Sequence, residues 1–185
     1  MKLSVLLVAV LCATTITLAE GDANFFLGQK YLDKGDWEPL EEQSEVGVEV
    51  SFAKPTWPVR IAIDYFGSTE EKDVAGITFR GTTAELGVGL RKVWKIGDAH
   101  PYLGGGVASI YAQGKGSAFG LTISDDGSRL GAWLGAGVFW RLGQRFNLGL
   151  AGRYSRAKVT LFGVDAEAGG THLGLLLGWG WPATR

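Results

Sequence analysis

The carboxyl-terminal stretch Thr171–Trp181 constrains the fold of this chain more than any other segment. Taken two residues at a time, it has one unbroken apolar face, formed by Leu173, Leu175, Leu177, Trp179 and Trp181. The opposite face is mostly glycine, although a strand with one face in water would carry polar side chains there. Because bare backbone suits a cramped interior and apolar side chains suit lipid, this pattern predicts a membrane-spanning strand with its closing aromatics at the membrane interface.

Composition narrows the class of protein further. The chain has 185 residues, a net charge of -1 and 29 glycines without a collagen-like period, which indicates one glycine-rich domain. No basic run is longer than Arg91-Lys92, so nucleic acid is not an expected partner. After residue 20 no stretch approaches the roughly 18 apolar residues that a membrane helix needs. A location in a membrane would therefore require a closed β-barrel, which satisfies every backbone hydrogen bond.

The amino terminus has the features of a cleaved secretion signal. Lys2 supplies the charged start, an apolar run follows, and Thr17-Leu18-Ala19 forms a small-x-small cleavage site. We therefore predict a signal peptide over residues 1–19 and a barrel domain over residues 20–185. The single cysteine, Cys12, lies in the removed segment, so neither disulfides nor lipidation are expected.

Alternating side chains predict eight strands in the mature chain. They cover residues 24–33, 45–52, 59–66, 82–94, 101–111, 129–141, 146–155 and 171–181. The facing of the first and fifth strands stays open, because both faces of the first carry a Phe and the fifth contains three consecutive glycines. The connections after strands two, four and six are short. Those after strands one, three, five and seven are long, and we expect loops at 34–44, 68–81, 112–128 and 156–170.

The even strand count, the alternating loop lengths and the ending Gly178-Trp179-Gly180-Trp181 resemble the small bacterial outer-membrane β-barrels of the OmpA and OmpX type. In that family the final strand acts as an assembly signal, and the resemblance assigns this role here to Leu173, Leu175, Leu177, Trp179 and Trp181. The closing aromatic is usually the last residue of the family's chains, whereas here Pro182–Arg185 follows it. The resemblance implies an all-β fold, an eight-stranded antiparallel up-and-down transmembrane β-barrel in the outer membrane. It also implies a monomer that contacts lipid, lipopolysaccharide and the barrel-assembly machinery, without a cofactor.

A soluble eight-stranded barrel with its apolar faces turned inward is the rival structure. Its water-facing surface would then be the glycine-rich face of strands four, six and eight, which is unusual for a soluble protein.

Ten ionisable side chains fall on the faces that would point into the lumen. They are Glu45, Glu49, Arg60, Asp64, Glu85, Arg91, Arg129, Arg141, Arg153 and His172. Buried charges must be paired or hydrated, and an eight-stranded interior is only wide enough for side chains to fill it. We therefore predict an ion-pair network that fills the barrel; a selectivity lining or a gate is the alternative.

The sequence assigns no catalytic residue and no metal ligand. His100 and His172 have no recognisable nucleophile motif beside them, and Asp125-Asp126-Gly127 lacks the spaced oxygen ligands of a calcium loop. The glycine clusters at 87–89 and 104–106 follow no phosphate-loop pattern and are interpreted as lumen spacers.

The outer loops are acidic and contain four aromatic residues, Trp37, Phe79, Phe119 and Phe162. This favours a structural or surface-interaction role, in envelope stability, adhesion or recognition. Two other functions remain open: a narrow passage for small hydrophobic solutes, as in OmpW-like barrels, and a lipid A-modifying enzyme.

Overall fold

The computed structural model describes residues 19–182, and all but the last residue of the predicted signal peptide lies outside this range. Eight antiparallel strands close into a barrel in the order β1-β10-β7-β6-β5-β4-β3-β2. The barrel strands are β1 (Glu20–Tyr31), β2 (Glu42–Ala53), β3 (Arg60–Val74), β4 (Ile77–Val93), β5 (Ala99–Ala118), β6 (Leu121–Leu142), β7 (Phe146–Arg156) and β10 (Gly170–Trp181). Outside the barrel lie the one-turn helix α1 (Lys34–Trp37) and a hairpin of β8 (Lys158–Leu161) with β9 (Val164–Glu167). Within residues 19–182, no helix combines the length and the apolar character that crossing a membrane would require.

The facing of the strands is inverted relative to a soluble barrel. In β10, Leu173 and Leu175 are exposed, whereas His172 and Leu176 are completely buried. The prediction that the apolar face of the final strand points outward is confirmed, and the soluble barrel with an apolar interior is excluded. An outer surface of Leu, Val and aromatic side chains is what the hydrocarbon core of a bilayer requires.

The two strands with open facing are now assigned. In β1, Phe25 is 66% exposed and Phe26 only 1%, so the odd-numbered apolar residues face outward. In β5, Tyr102 and Ile110 point into the barrel, while Leu103 points outward. The pairing of β1 with β10, which places Lys30 opposite His172, closes the barrel and fixes the facing of β1. The pairing of β5 with β6, in which the buried His100 lies opposite the buried Phe139, fixes the facing of β5.

Two of the predicted long loops are wrong, because strands fill most of both ranges. β3 and β4 stay paired up to Val74 and Ile77, and β5 and β6 stay paired up to Ala118 and Leu121. Each hairpin ends in a two-residue turn, Ala75–Gly76 or Phe119–Gly120, in which both residues have a positive φ. This is the turn geometry that matches the twist of the flanking strands, so pairing continues to the tip.

These hairpins rise above the closed part of the barrel. β2 pairs with β3 only as far as Ser44 and Thr69, and β7 pairs with β6 only as far as Arg156 and Ala132. Beyond those points β3 to β6 continue as a four-stranded extension. We call residues 70–81 and 114–128 the outer sheet.

The other two long connections fold over the mouth of the barrel. Residues 34–41, with α1, and residues 158–167, with the β8–β9 hairpin, form what we call the outer cap. The Trp37 indole N–H donates to the Glu167 carbonyl at 2.8 Å, and the Glu167 amide donates to the Asp36 carboxylate at 2.8 Å. The cap side chains of Trp37, Val159 and Leu161 are buried against apolar side chains of the barrel. The outer end of the lumen is therefore sealed by an apolar layer.

The lumen network and the outer crevice as candidate functional sites

The centre of the lumen is organised around Asp64 on β3. The Arg91 guanidinium donates to both Asp64 carboxylate oxygens, at 3.0 and 3.1 Å, and Arg153 donates to one of them at 3.0 Å. Glu49 lies 3.4 Å from the Arg91 guanidinium and accepts a hydrogen bond from the Tyr102 hydroxyl at 2.9 Å. All five side chains are buried. Each charge has an opposite charge beside it, as a low-dielectric interior requires.

A second cluster lies toward the outer end. The Lys30 ammonium donates to Glu85 at 2.7 Å, and the Ser155 hydroxyl donates to the same Glu85 oxygen at 2.7 Å. His172 has Nδ1 at 2.8 Å from the Glu45 carboxylate and Nε2 at 3.1 Å from the Ser155 hydroxyl oxygen. The cluster joins β1, β2, β4, β7 and β10 across the lumen.

Ser155, His172 and Glu45 have the hydrogen-bond order of a nucleophile, its base and an orienting acid. Ser155 and His172 are completely buried, and Glu45 is nearly so. The Ser155 hydroxyl proton is directed at Glu85 and not at the imidazole. A nucleophile must reach a substrate, so this geometry serves cohesion of the lumen and offers no site for acyl transfer.

A third cluster closes the inner end. Asp22 on β1 forms ion pairs with Arg60 and Arg141. Asn147 donates to Asp22 at 3.1 Å and accepts from Arg141 at 2.8 Å. Together the three clusters fill the length of the barrel with paired charges.

Nine of the ten side chains predicted for the lumen take part in these clusters. They are Glu45, Glu49, Arg60, Asp64, Glu85, Arg91, Arg141, Arg153 and His172. Arg129 does not: its side chain is exposed, and it forms no salt bridge with any residue in 19–182. The reason is its position on β6 beyond Ala132, where β7 no longer runs alongside and the closed wall has ended.

Two charged members of the network, Lys30 and Asp22, were not predicted from the sequence, and neither were the polar members Tyr102, Asn147 and Ser155. Lys30 and Asp22 both lie on β1, whose facing the sequence left open. The available signal was the alternation of Asp22, Asn24 and Lys30 with the exposed Phe25 and Leu27, which places the polar set on the inner face.

The glycines of β4 and β5 make room for one large ring. A Cβ at Gly87, Gly89 or Gly104 would lie 2.8 to 3.3 Å from the Trp133 indole. The Arg153 guanidinium carbon in turn lies 4.4 Å from the centre of that ring and 4.8 Å from the Phe66 ring centre. The glycines and the cation–π contacts therefore pack Trp133 across the lumen.

A crevice of about 530 Å³, the outer crevice, lies between the outer cap and the outer sheet. A volume of this size is within the range of ligand sites. Its apolar lining consists of Trp37, Pro39, Leu40, Phe79, Gly114, Gly116, Ile123, Leu161, Phe162, Val164 and Ala166. The sequence placed Trp37, Phe79 and Phe162 in the outer loops. It did not show that they would meet.

Comparison with solved structures identifies the architecture. Over 88% of its length the chain matches Ail, the attachment invasion locus protein of Yersinia pestis, in a complex with the heparin analogue sucrose octasulfate (14% identity, 97% of that chain, TM-score 0.59). It also matches Neisserial surface protein A, NspA (14% identity, 88% and 94% coverage, TM-score 0.54), and a major outer membrane protein of Thermus thermophilus (12% identity, 88% and 98% coverage, TM-score 0.56). The chain has the fold of a small eight-stranded outer-membrane β-barrel. The resemblance inferred from the strand pattern is thereby confirmed for the fold. No protein-family model and no curated protein sequence matches the chain.

The outer end of this barrel carries an excess of negative charge. In residues 34–44, 68–81, 112–128 and 156–170 the carboxylates are Asp36, Glu38, Glu41, Glu42, Glu70, Glu71, Asp73, Asp125, Asp126, Asp165 and Glu167. The cations in the same segments are Lys34, Lys72, Arg80, Lys115, Arg156 and Lys158. These segments therefore carry five more carboxylates than cations, which gives the outer end of the barrel a net negative charge.

Proposed function

We propose that this chain is an outer-membrane surface-interaction protein, in which a closed barrel anchors and orients an outer sheet that contacts partners outside the cell. The observation that carries the proposal is the extension of β3 to β6 past the closed part of the barrel. A barrel needed only for envelope stability has no use for four strands that continue beyond the bilayer.

The side chains at the tips support this role. Phe119 is fully exposed and Leu121 is 76% exposed at one hairpin tip, and Val74 and Ile77 are exposed at the other. Exposed apolar patches beyond the membrane are a common feature of interaction surfaces. Ail, which shares the fold, is by its own description an attachment invasion locus protein, and this also favours a surface role.

Transport is the weaker candidate. The charge clusters, the Trp133 ring and the apolar layer beneath the outer cap occupy the lumen at successive levels. A passage for hydrophobic solutes through the lumen would have to displace all of them. A lipid A-modifying enzyme would need an accessible acid–base pair, whereas Ser155 and His172 are buried.

The test is attachment by cells that lack the gene and are complemented with defined variants. The trimmed variant removes residues 72–79 and 117–122 and joins each hairpin with Asn-Gly, a dipeptide suited to two-residue hairpin turns. Because Glu71 pairs with Arg80 and Gly116 with Ile123, both junctions fall at opposed residues and the barrel is left intact. We expect trimmed cells to attach to protein-coated surfaces and to one another no better than cells without the gene.

A second variant separates the tip side chains from the sheet itself. Phe119→Ser combined with Leu121→Thr keeps the strands and removes two exposed apolar groups. We expect it to give attachment between those of the wild type and the trimmed variant. Wild-type attachment by the trimmed variant, with normal amounts in the membrane, would refute the proposed function.

A further inference from the structure

The outer crevice has two different walls. On the outer sheet, Phe79 lies opposite Gly116 in the β4–β5 register, and the two contribute to the crevice from neighbouring strands. A Cβ added at Gly116 would have only the Phe79 ring near it, at 4.0 Å. The bare backbone at Gly116 thus forms a floor beside an aromatic ring, and the outer cap forms the facing wall.

Two cations, Arg80 and Lys115, border the outer crevice from the outer sheet. Arg80 and Lys115 lie opposite each other, and strand alternation directs them away from the face that carries Phe79 and Gly116. Arg80 is also paired with Glu71, with its Nε at 2.6 Å from the carboxylate. The Arg80 and Lys115 side chains therefore point to the opposite face of the sheet, although both residues border the crevice. Lys72 on β3 lies opposite Phe79 and shares its face, but it is not among the residues that line the crevice.

The facing wall is acidic. Asp36, Glu38 and Asp165 border the crevice from the outer cap. Asp36 accepts the Glu167 amide, and Asp165 accepts the Thr160 hydroxyl, and these neutral donors leave both charges uncompensated. Glu38 is exposed, and no residue in 19–182 forms a salt bridge with it. An apolar crevice with acidic residues at its border favours a ligand that is apolar on one side and basic on the other.

We propose that the outer crevice binds a basic amphipathic peptide segment of a partner protein. The apolar side chains of the segment enter the outer crevice beside Phe79 and Gly116. Its Lys or Arg side chains face the carboxylates of Asp36, Glu38 and Asp165. A helix that presents apolar anchors at helical spacing is a common ligand of such grooves. This inference rests on the proposed surface-interaction function and names the chemistry of the partner.

The test uses the full barrel in nanodiscs of zwitterionic lipid, with empty nanodiscs subtracted. The probe is a fluorescent peptide of about 14 residues, roughly four helical turns, with Leu on one face and Lys on the other. A peptide with Glu in place of every Lys tests charge selection. Sodium dodecyl sulfate, added as a competitor below its critical micelle concentration, tests whether an anionic amphiphile binds in the same crevice.

The decisive variant is Gly116→Leu, which places a side chain into the crevice from its floor. We expect it to weaken binding of the Lys/Leu peptide by about tenfold or more, because the added side chain occupies the space that the apolar side chains of the peptide would fill. The matched control is Ser117→Leu, which adds the same side chain to the opposite face of the same strand and should leave binding unchanged. Glu38→Gln should weaken binding roughly two- to fivefold, and the difference should shrink at high salt.

Each alternative result overturns the inference. Equal binding of the Glu/Leu peptide, tighter competition by dodecyl sulfate than by unlabelled peptide, or unchanged affinity in Gly116→Leu would exclude the proposed ligand. Heat-dependent migration on gels confirms that every variant is folded before binding is measured. If attachment depends on the outer sheet but the Lys/Leu peptide does not bind, only this inference fails; if trimming leaves attachment intact, the proposed function fails instead.

Discussion

Arg153 on β7 donates a 3.0 Å hydrogen bond to Asp64 on β3, across the full width of the lumen. In the closed strand order these two strands are four positions apart in either direction, which places them on opposite walls. Arg91 binds the same carboxylate from β4. One carboxylate therefore ties two guanidinium groups, and two walls of the barrel, to a single point at its centre.

Removal of this carboxylate should destabilise the barrel strongly. Asp64→Ala leaves Arg91 and Arg153 buried without their shared partner, and breaking a buried pair in this way costs about 3–5 kcal/mol. The measurement is the urea midpoint of unfolding in lipid vesicles. Glu71→Ala is the control, because the Glu71–Arg80 pair is about half exposed, and such pairs contribute roughly 0–1 kcal/mol. Equal losses in the two variants would show that the lumen network does not stabilise the fold.

The lumen should conduct poorly. Charge clusters and the Trp133 ring fill it, so planar-bilayer recordings of the wild type should show small currents or none. Glu49→Ala and Arg153→Ala each remove one member of the network and should increase the leak while lowering the urea midpoint. Large, stable wild-type currents, with no loss of stability in the two variants, would contradict a closed lumen.

The stability cost of an arginine substitution should depend on whether the position faces lipid, the lumen or water. Leu134→Arg and Leu150→Arg place a charge on the outer wall of the barrel, where both side chains are more than half exposed, and should cost about 2–4 kcal/mol near the bilayer midplane. Gly87→Arg should destabilise the barrel for a steric reason, because even a Cβ at this position would lie 2.9 Å from the Arg153 guanidinium.

Leu121→Arg is the matched control for these substitutions. Its side chain is as exposed as those on the wall, but it lies at the tip of the outer sheet, so we expect a change in stability within about 0.5 kcal/mol. A cost similar to that of Leu134→Arg would place the tip in lipid and contradict an outer sheet that extends beyond the bilayer.

The outer hairpin turn should depend on Gly120. This residue has φ +79°, and a β-branched side chain in that conformation costs on the order of 1–2 kcal/mol. Gly120→Val should therefore speed amide hydrogen exchange in residues 114–128 while leaving exchange in the barrel unchanged. Gly116→Ala is the control, because its backbone does not adopt a positive φ and its Cβ has space. Equal exchange in both variants would show that the turn does not hold the tip.

Cleavage after Ala19 remains a prediction from the sequence. Mass spectrometry of the membrane-bound protein should give a chain that begins at Glu20. Strand β1 begins at Glu20, whose carboxylate lies 3.2 Å from the Arg60 guanidinium near the inner end of the barrel. A membrane form that retains Met1 would show that the apolar segment is kept.

The sequence by itself determined the strand class and the direction of most side chains. A strand repeats every two residues, so Leu173 and His172 must point to opposite sides wherever the strand lies. The charges on the faces opposite the apolar ones, Asp64 and Arg153 among them, were assigned to the lumen for the same reason. These properties are local and need no knowledge of neighbouring strands.

Only the tertiary structure decided which side chains contact one another across the lumen and in the outer crevice. The partner of Lys30, Glu85 on β4, was set only when the barrel closed, and Arg129 fell outside the network because β7 ends before reaching it. The length of the outer sheet depended on tip turns whose first residues, Ala75 and Phe119, give little local signal for a positive φ. The outer crevice joins Trp37, Phe79 and Phe162 from three separate connections. Such contacts depend on the stagger between strands and on how the connections fold over the barrel, and neither is encoded in a two-residue period.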